Sequence, residues 1–276
     1  HYFEGQPHSP LTTYRRASEL FAAFARRVGE LPRLSTLLEG WHVVVDPGHG
    51  GLDPGAIVEA VDDNGDKLYV TEDEYVYDLA LRVYALLRLH GAQVSLTVLS
   101  PNHLIRGGPA QTGTFVHQKN EVYNSFEYNK ADNDGAWPAG GNLRTRVQIA
   151  REALAGAPRG RRVFLSLHSD IDPRSPEAPL VLYYASREGR RVDLASRAFA
   201  RTLLPYLGAG ARTRGQALGA LRDNPADFSV LLELRNMAYR DHVWAIRFEQ
   251  LRPRDAEKVV QSLLAFAEQR SLSAQR

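Results

Sequence analysis

The apolar positions change period along the chain, and the changes outline alternating helices and strands. Between Tyr14 and Val28, Leu20, Phe21, Phe24 and Val28 recur at helical spacing, which predicts an amphipathic helix packed on the main body rather than an exposed linker. His42 to Asp46 (HVVVD) is a β-branched run closed by Pro47 and Gly48, the signature of a buried strand. Thr71 to Leu89 returns to the helical period, with Val76, Leu79, Val83, Leu86 and Leu87 on one face and Thr71 and Glu74 at capping-box spacing. Gln93 to Thr97 reads as a strand, Leu143 to Leu154 as a helix, and Val163 to Leu167 (VFLSL) and Leu180 to Tyr184 as strands. A helix from Leu194 to Leu207, an edge strand from Ala217 to Leu221 and a buried strand from Val230 to Leu234 follow. The last helix is capped by Asp255 and runs to about Gln269.

Strands separated by helical segments predict an α/β fold: one mostly parallel, twisted sheet of about six strands flanked by helices, with sites at the carboxyl ends of its strands. Residues 1–40 form an N-terminal helical extension, residues 41–270 one domain, and residues 271–276 a tail. Ser100 to Gly141 breaks the alternation. Loops beyond roughly 12 to 15 residues are usually functional or disordered. The anchors Phe115, Val116, Tyr123, Phe126, Tyr128 and Trp137 predict a structured insertion near the site. No internal repeat is found.

Composition narrows the chemistry. With 276 residues, 43% apolar and 24% charged, the chain has the means to bury a core and stay in solution, which excludes disorder as the main state. Its apolar runs fall far short of the roughly 18 to 20 residues of a membrane span. A net charge of +2 gives no reason to expect a nucleic-acid partner. Without Cys, disulfides, thiolate catalysis and Cys-ligated metal sites are excluded together, so any metal must be held by His and carboxylates. The chain opens at His1 and its first 40 residues contain no basic start followed by an apolar secretory core. An exported form is therefore expected to have lost its signal already.

Several catalytic motifs are missing. There is no Gly-x-Ser-x-Gly elbow and no Gly-Lys pair to end a phosphate-binding loop. The run from Gly48 to Asp53 departs from a dinucleotide fingerprint at Asp53, and Pro54-Gly55 follows instead of a helix. His49 remains, at the end of the first strand among glycines that permit close backbone approach, and His168 ends VFLSLH in the same way. Two imidazoles at strand ends of one parallel sheet can converge on an ion. Glu72, Asp73 and Glu74, which open the next helix, are candidates for a third ligand; the alternative for them is a favourable place on the helix macrodipole. Glu233 stands inside SVLLEL, and a carboxylate among such neighbours is paired, hydrogen-bonded or metal-bound. An ion pair with Arg235 or Arg222 would satisfy it; otherwise it is a general base or acid. Two His, one acid and a further Glu make a catalytic zinc inventory.

VVVDPGHGGLDPGA (Val43 to Ala56) resembles the opening signature of the zinc-dependent N-acetylmuramoyl-L-alanine amidases of the amidase-3 family, bacterial cell-wall hydrolases. TEDEYVYDLALRVYALLRLHGAQVSLT (Thr71 to Thr97) is similar to the family's Glu-led helix and second strand, and LRTRVQIA (Leu143 to Ala150) to the helix before the second metal His. FLSLHSD carries that His, and LRDNPADFSVLLEL (Leu221 to Leu234) resembles the segment ending in the catalytic Glu. The resemblance spans about Val43 to Gln269. It implies one zinc ion held by His49, Glu74 and His168, with Glu233 as the catalytic carboxylate. The family's ligand Glu stands five residues before a Leu-Ala pair, here Leu79-Ala80, which singles out Glu74 over Glu72 and Glu59. Asp53, Arg144 and Arg235 are the expected substrate contacts.

The activity implied is hydrolysis of the amide between N-acetylmuramic acid and L-alanine in peptidoglycan, by a monomer acting outside the cytoplasm, in the periplasm or cell wall, in work such as autolysis or cell division. Competing readings are a zinc peptidase cutting within the stem peptide and an inactive wall-binding protein. The sequence departs from the family where Thr97 is followed by Val98 instead of Arg, leaving Arg106 or Arg144 to replace it, and in the insertion from Ser100 to Gly141. That insertion is not where some relatives carry an inhibitory helix, so autoinhibition is not implied, and no activator is identified.

Overall fold

The computed structural model describes residues 9–61, 64–65, 67–101, 121–131, 133–140, 142–175 and 177–274. Helix α1 (Pro10–Glu30) begins where Ser9 accepts a hydrogen bond from the Thr12 amide. Its apolar stripe packs on the body as expected, Phe21 and Phe24 lying 5.0 and 5.8 Å from the Tyr84 ring. Strand β1 (His42–Pro47) is followed by the hairpin β2 (Ile57–Val61) and β3 (Lys67–Thr71), then helix α2 (Glu72–Leu89), whose N-cap Thr71 makes no side-chain capping bond, and strand β4 (Gln93–Leu96). The short strands β5 (Val98–Leu99) and β6 (Val122–Tyr123) pair with each other, and helix α3 (Leu143–Ala153) leads to β7 (Arg162–Asp170). Strand β8 (Leu180–Tyr184), helix α4 (Leu194–Leu207), and strands β9 (Arg212–Gln216) and β10 (Phe228–Asn236) precede helices α5 (Arg240–Arg247) and α6 (Arg252–Ala274).

The main sheet runs β4-β1-β7-β10-β8-β9. Its first four strands are parallel, β8 is antiparallel to β10, and β9 is parallel to β8. Both faces are covered. Val43, Val45, Leu165, Val230 and Leu232 join a core with α2, α4 and α6, while Val44, Phe164 and Leu231 face Ala150 and Leu154 of the α3 segment. Alternate residues of one strand thus enter opposite cores, which is why these strands read as continuous apolar runs rather than as alternation.

The edge strand is not where the apolar pattern placed it. Ala217 to Leu221 forms turns, with Ala220 and Leu221 buried, and the edge is β9, whose sequence RTRGQ is mostly polar. An outermost strand meets solvent along one side, so burial does not demand an apolar run there. The last helix extends beyond Gln269 to Ala274, into the expected tail, and Asp255 lies in its first turn rather than capping it. Of the insertion, the described part has buried Tyr123 and Trp137 and exposed Phe126, with single 3₁₀ turns at Glu127–Asn129 and Asp134–Ala136. Arg106, Phe115 and Val116 lie outside the described residues.

Asp227 ties the start of β10 to β7. Its carboxylate accepts bonds from Arg162 Nε and Nη2 at 3.0 and 2.6 Å and from the Gly160 amide at 2.7 Å. Partial burial opposes its charge, but these donors prevail and hold its pKa below the usual carboxylate value. A depressed folded pKa contributes stability above the unfolded value of about 3.9 and loses it as pH falls through the folded one. Asp227→Asn should therefore lower the melting temperature at neutral pH, with the difference from the parent chain shrinking below about pH 3.9.

Candidate active site

Four parallel strands deliver their carboxyl ends to one edge of the sheet, and the chemistry collects there. His49 follows β1 with a φ of 60°, left-handed for a residue with a side chain. Gly48 must be glycine, because a Cβ there would lie 2.3 Å from Cε1 of His168. His168 is itself within β7, and Glu233 of β10 is its register partner on the adjacent strand.

The third member is Glu72, the first residue of α2. Its Oε2 lies 3.1 Å from His49 Nε2 and its Oε1 3.0 Å from His168 Nδ1, while the two imidazole nitrogens are 3.1 Å apart. Amides of Ala56 and Ser169 donate to the same two oxygens, each at 2.9 Å, and fix the carboxylate. Gly55, with φ 69°, makes room: a Cβ there would lie 2.6 Å from Glu72 Oε2. Among the described residues, His49, Glu72 and His168 form a group whose ligand atoms lie within 4.8 Å of one another and could hold a metal ion.

Glu74 is not in this group. It is buried elsewhere beside Asp73, whose Oδ1 accepts the Glu74 amide at 2.8 Å. Two residues turn a helix by about 200°, so Glu72 and Glu74 face opposite ways. Counting back from Leu79 explains the difference: seven residues are close to two full turns and return Glu72 to the Leu79 face, whereas five residues place Glu74 well off it.

Asp53 lies beside the cluster with both carboxylate oxygens engaged. Its Oδ2 meets His49 Nδ1 at 3.0 Å and its Oδ1 accepts the Gly55 amide at 3.1 Å. With Nδ1–H donating to Asp53, the tautomer of His49 leaves the Nε2 lone pair for the shared centre. Burial disfavours a charged His49, but the hydrogen bonds to Asp53 and Glu72 and their charges outweigh it and raise its pKa to about 10. A cation on Nε2 would take the place of that proton. Burial likewise opposes the Glu72 carboxylate, and His168 and His49 nevertheless hold it well below the usual range. Asp53 is held low by its bond to His49.

Glu233 differs from all of these. Burial, then the charges of Glu72 and Asp170, push its pKa well above the carboxylate range, and its buried Oε2 has no hydrogen-bond partner among the described residues. The expected alternative, an internal ion pair with Arg235, is not made: Arg235 instead holds Asp255 through two bonds at 2.9 and 2.8 Å. Arg235 is thereby a strut between β10 and α6. Arg144 is exposed at the start of α3.

The residue that sequence reading overlooked is Arg146, buried to 2% exposure. Its Nη1 donates to Asp46 Oδ1 at 2.8 Å and to the Pro47 carbonyl at 2.6 Å, and Nη2 donates to the His49 carbonyl. Thr97 and Ser166 also donate to Asp46. One arginine thus clamps the loop that carries His49. Its position in the helix was legible, but three residues of α3 are arginine and only packing tells which is buried. Arg146→Met, by stranding the Asp46 charge, should cost about 3 to 5 kcal/mol in urea unfolding.

A cavity of about 170 Å³ lies beside the cluster, bordered by His49, Asp53, His168, Leu143 and Leu218. Metal-competent donors at the carboxyl edge of a parallel sheet, with the half-buried Glu233 on the adjacent strand, form an arrangement suited to hydrolytic chemistry at a metal. Residues 43–263 match the family model for N-acetylmuramoyl-L-alanine amidase, and the chain belongs to that family. It is accordingly an enzyme that hydrolyses the amide bond between N-acetylmuramic acid and L-alanine in peptidoglycan.

Solved structures agree on the fold. N-acetylmuramoyl-L-alanine amidase AmiC2 of Nostoc punctiforme is 20% identical with a TM-score of 0.52, the match covering 83% of this chain and 98% of that one. Ami1 from Mycobacterium smegmatis is 21% identical with a TM-score of 0.53, covering 84% and 99%. The amidase from Clostridium difficile 630 is 16% identical with a TM-score of 0.53, covering 83% and 97%. A comparison with curated proteins gave no match.

Proposed function

We propose that His49, Glu72 and His168 hold one zinc ion and that Glu233 is the catalytic carboxylate of the amidase. The donor set fits zinc: two imidazole nitrogens and a carboxylate oxygen within 4.8 Å of one another would supply the three protein ligands of a catalytic site. Bound there, zinc supplies Lewis acidity, lowering the pKa of water from about 15.7 to near 7 and stabilising negative charge on the amide oxygen.

The protein's own groups do the rest. Asp53 keeps His49 in the tautomer that offers Nε2. The amides of Ala56 and Ser169 keep the Glu72 carboxylate turned toward both histidines. Glu233 takes the proton of the attacking water and delivers it to the departing alanine nitrogen, which would otherwise leave as an unstable anion. A carboxyl group whose pKa burial raises above the usual carboxylate range is a better proton acceptor, which suits that transfer. The observation that carries this reading is the buried, unbonded Glu233 Oε2 on the strand next to His168.

The enzyme is placed outside the cytoplasm, where its substrate lies. Among the described residues no helix is long and apolar enough to cross a membrane. Digestion of purified peptidoglycan with and without a chelator, followed by mass analysis, tests the proposal. Soluble stem peptides with an L-Ala amino terminus, lost with chelator and restored by zinc, are expected. Products cut inside the stem would make the enzyme a peptidase, and chelator-resistant release would remove the zinc.

A further inference from the structure

Beside the active site lies a second groove, of about 480 Å³, between α3 and the turn at Gly219 to Asp223. It neighbours the site: Leu143 borders both this groove and the cavity beside His49 and His168. Three arginines line it, Arg144 and Arg151 from α3 and Arg222 from the turn, and all three side chains are exposed. Arg144 and Arg151 are seven residues apart, so they stand two turns apart on one helix face.

None of the three makes an ion pair with a carboxylate among the described residues. The acid on the rim, Asp223, is already bonded to Arg191 at 2.5 Å, while its carbonyl accepts a long bond of 3.5 Å from Arg151. Arg144 stands in the first turn of α3, which contains no acidic residue. The helix macrodipole disfavours a cation there, so local helix stability does not account for this charge. Among the described residues the groove is a concentration of positive charge without paired carboxylates, next to the candidate active site.

The glycan backbone of the substrate offers mainly neutral hydroxyl and acetamido groups. The peptide arm is the part that carries free carboxylates. We propose that this groove receives the carboxylates of the peptide arm, orienting the substrate with its alanine side over α3 and making the enzyme selective for unamidated stems. The assignment rests on the amidase reading and adds the direction in which the substrate lies.

The test uses a synthetic stem peptide beginning with L-Ala, with its carboxylates free or converted to primary amides, and the same two peptides carried on N-acetylmuramic acid. Exposed charge pairs contribute a few-fold each, so the parent chain should bind the free-carboxylate peptide about tenfold more tightly than the amidated one, with the preference weakening in high salt. The triple variant Arg144→Gln, Arg151→Gln, Arg222→Gln should lose the preference, mainly through KM in the hydrolysis assay. The triple Lys variant should retain most of it, which separates lost charge from lost folding. Equal binding of the two peptides by the parent chain, or a preference that survives in the Gln variant, would overturn the proposal. Failure of the amidase reading looks different: no peptide would be released from either muramyl substrate, and the binding comparison would still decide the groove.

Discussion

Glu233→Gln is expected to reduce peptidoglycan hydrolysis by about 10² to 10⁴-fold, the usual weight of a positioned acid or base, while zinc content measured by mass spectrometry stays at one per chain. Glutamine keeps the shape and an acceptor oxygen but cannot move a proton. The position tolerates it, because burial disfavours charge on this side chain and no ion pair of Glu233 among the described residues is broken. Arg235 keeps its bonds to Asp255 in the variant. Folding should therefore be unaffected, and thermal melts close to those of the parent chain would confirm it. Retained turnover would remove Glu233 from the mechanism; lost zinc would make it a ligand instead.

The second large effect separates two glutamates of one helical turn. Glu72→Gln should abolish stoichiometric zinc binding and activity together, because the carboxylate bridges both imidazoles and a neutral amide is a far weaker ligand. Glu74→Gln should retain zinc, since Glu74 lies outside the group of three. Chelator competition gives the affinities directly, without reliance on turnover. The opposite pattern would restore Glu74 as the ligand and require the start of α2 to be rotated from the position described here.

Much of the fold was legible because its determinants are local. HVVVD, VFLSL and SVLLEL are short, β-branched or aliphatic and bounded by turn residues, and a sheet covered on both faces requires such runs. The stripe at Leu20, Phe21, Phe24 and Val28 specifies a helix with one buried face whatever it packs against. Where local preference and position in the sheet diverge, periodicity misleads: polar RTRGQ forms the edge strand and apolar ALGAL forms turns. The β2–β3 hairpin and α5 also escaped the pattern, being only five and eight residues long per element.

The site shows the same division. His49 just follows β1, and His168 and Glu233 lie in the carboxyl-terminal halves of β7 and β10, where chain direction alone carries a residue toward the carboxyl edge of the sheet, and an acid among apolar neighbours announces itself. The choice between Glu72 and Glu74, the engagement of Asp53 with His49 and of Arg235 with Asp255, and the burial of Arg146 rather than Arg144 depend on helix rotation and on groups up to 100 residues distant. Residue type and spacing determine which elements form and which chemistries are available. Tertiary packing alone decides which of several equivalent side chains faces the centre, because a rotation of one or two residues on a helix exchanges them without changing the pattern that formed it.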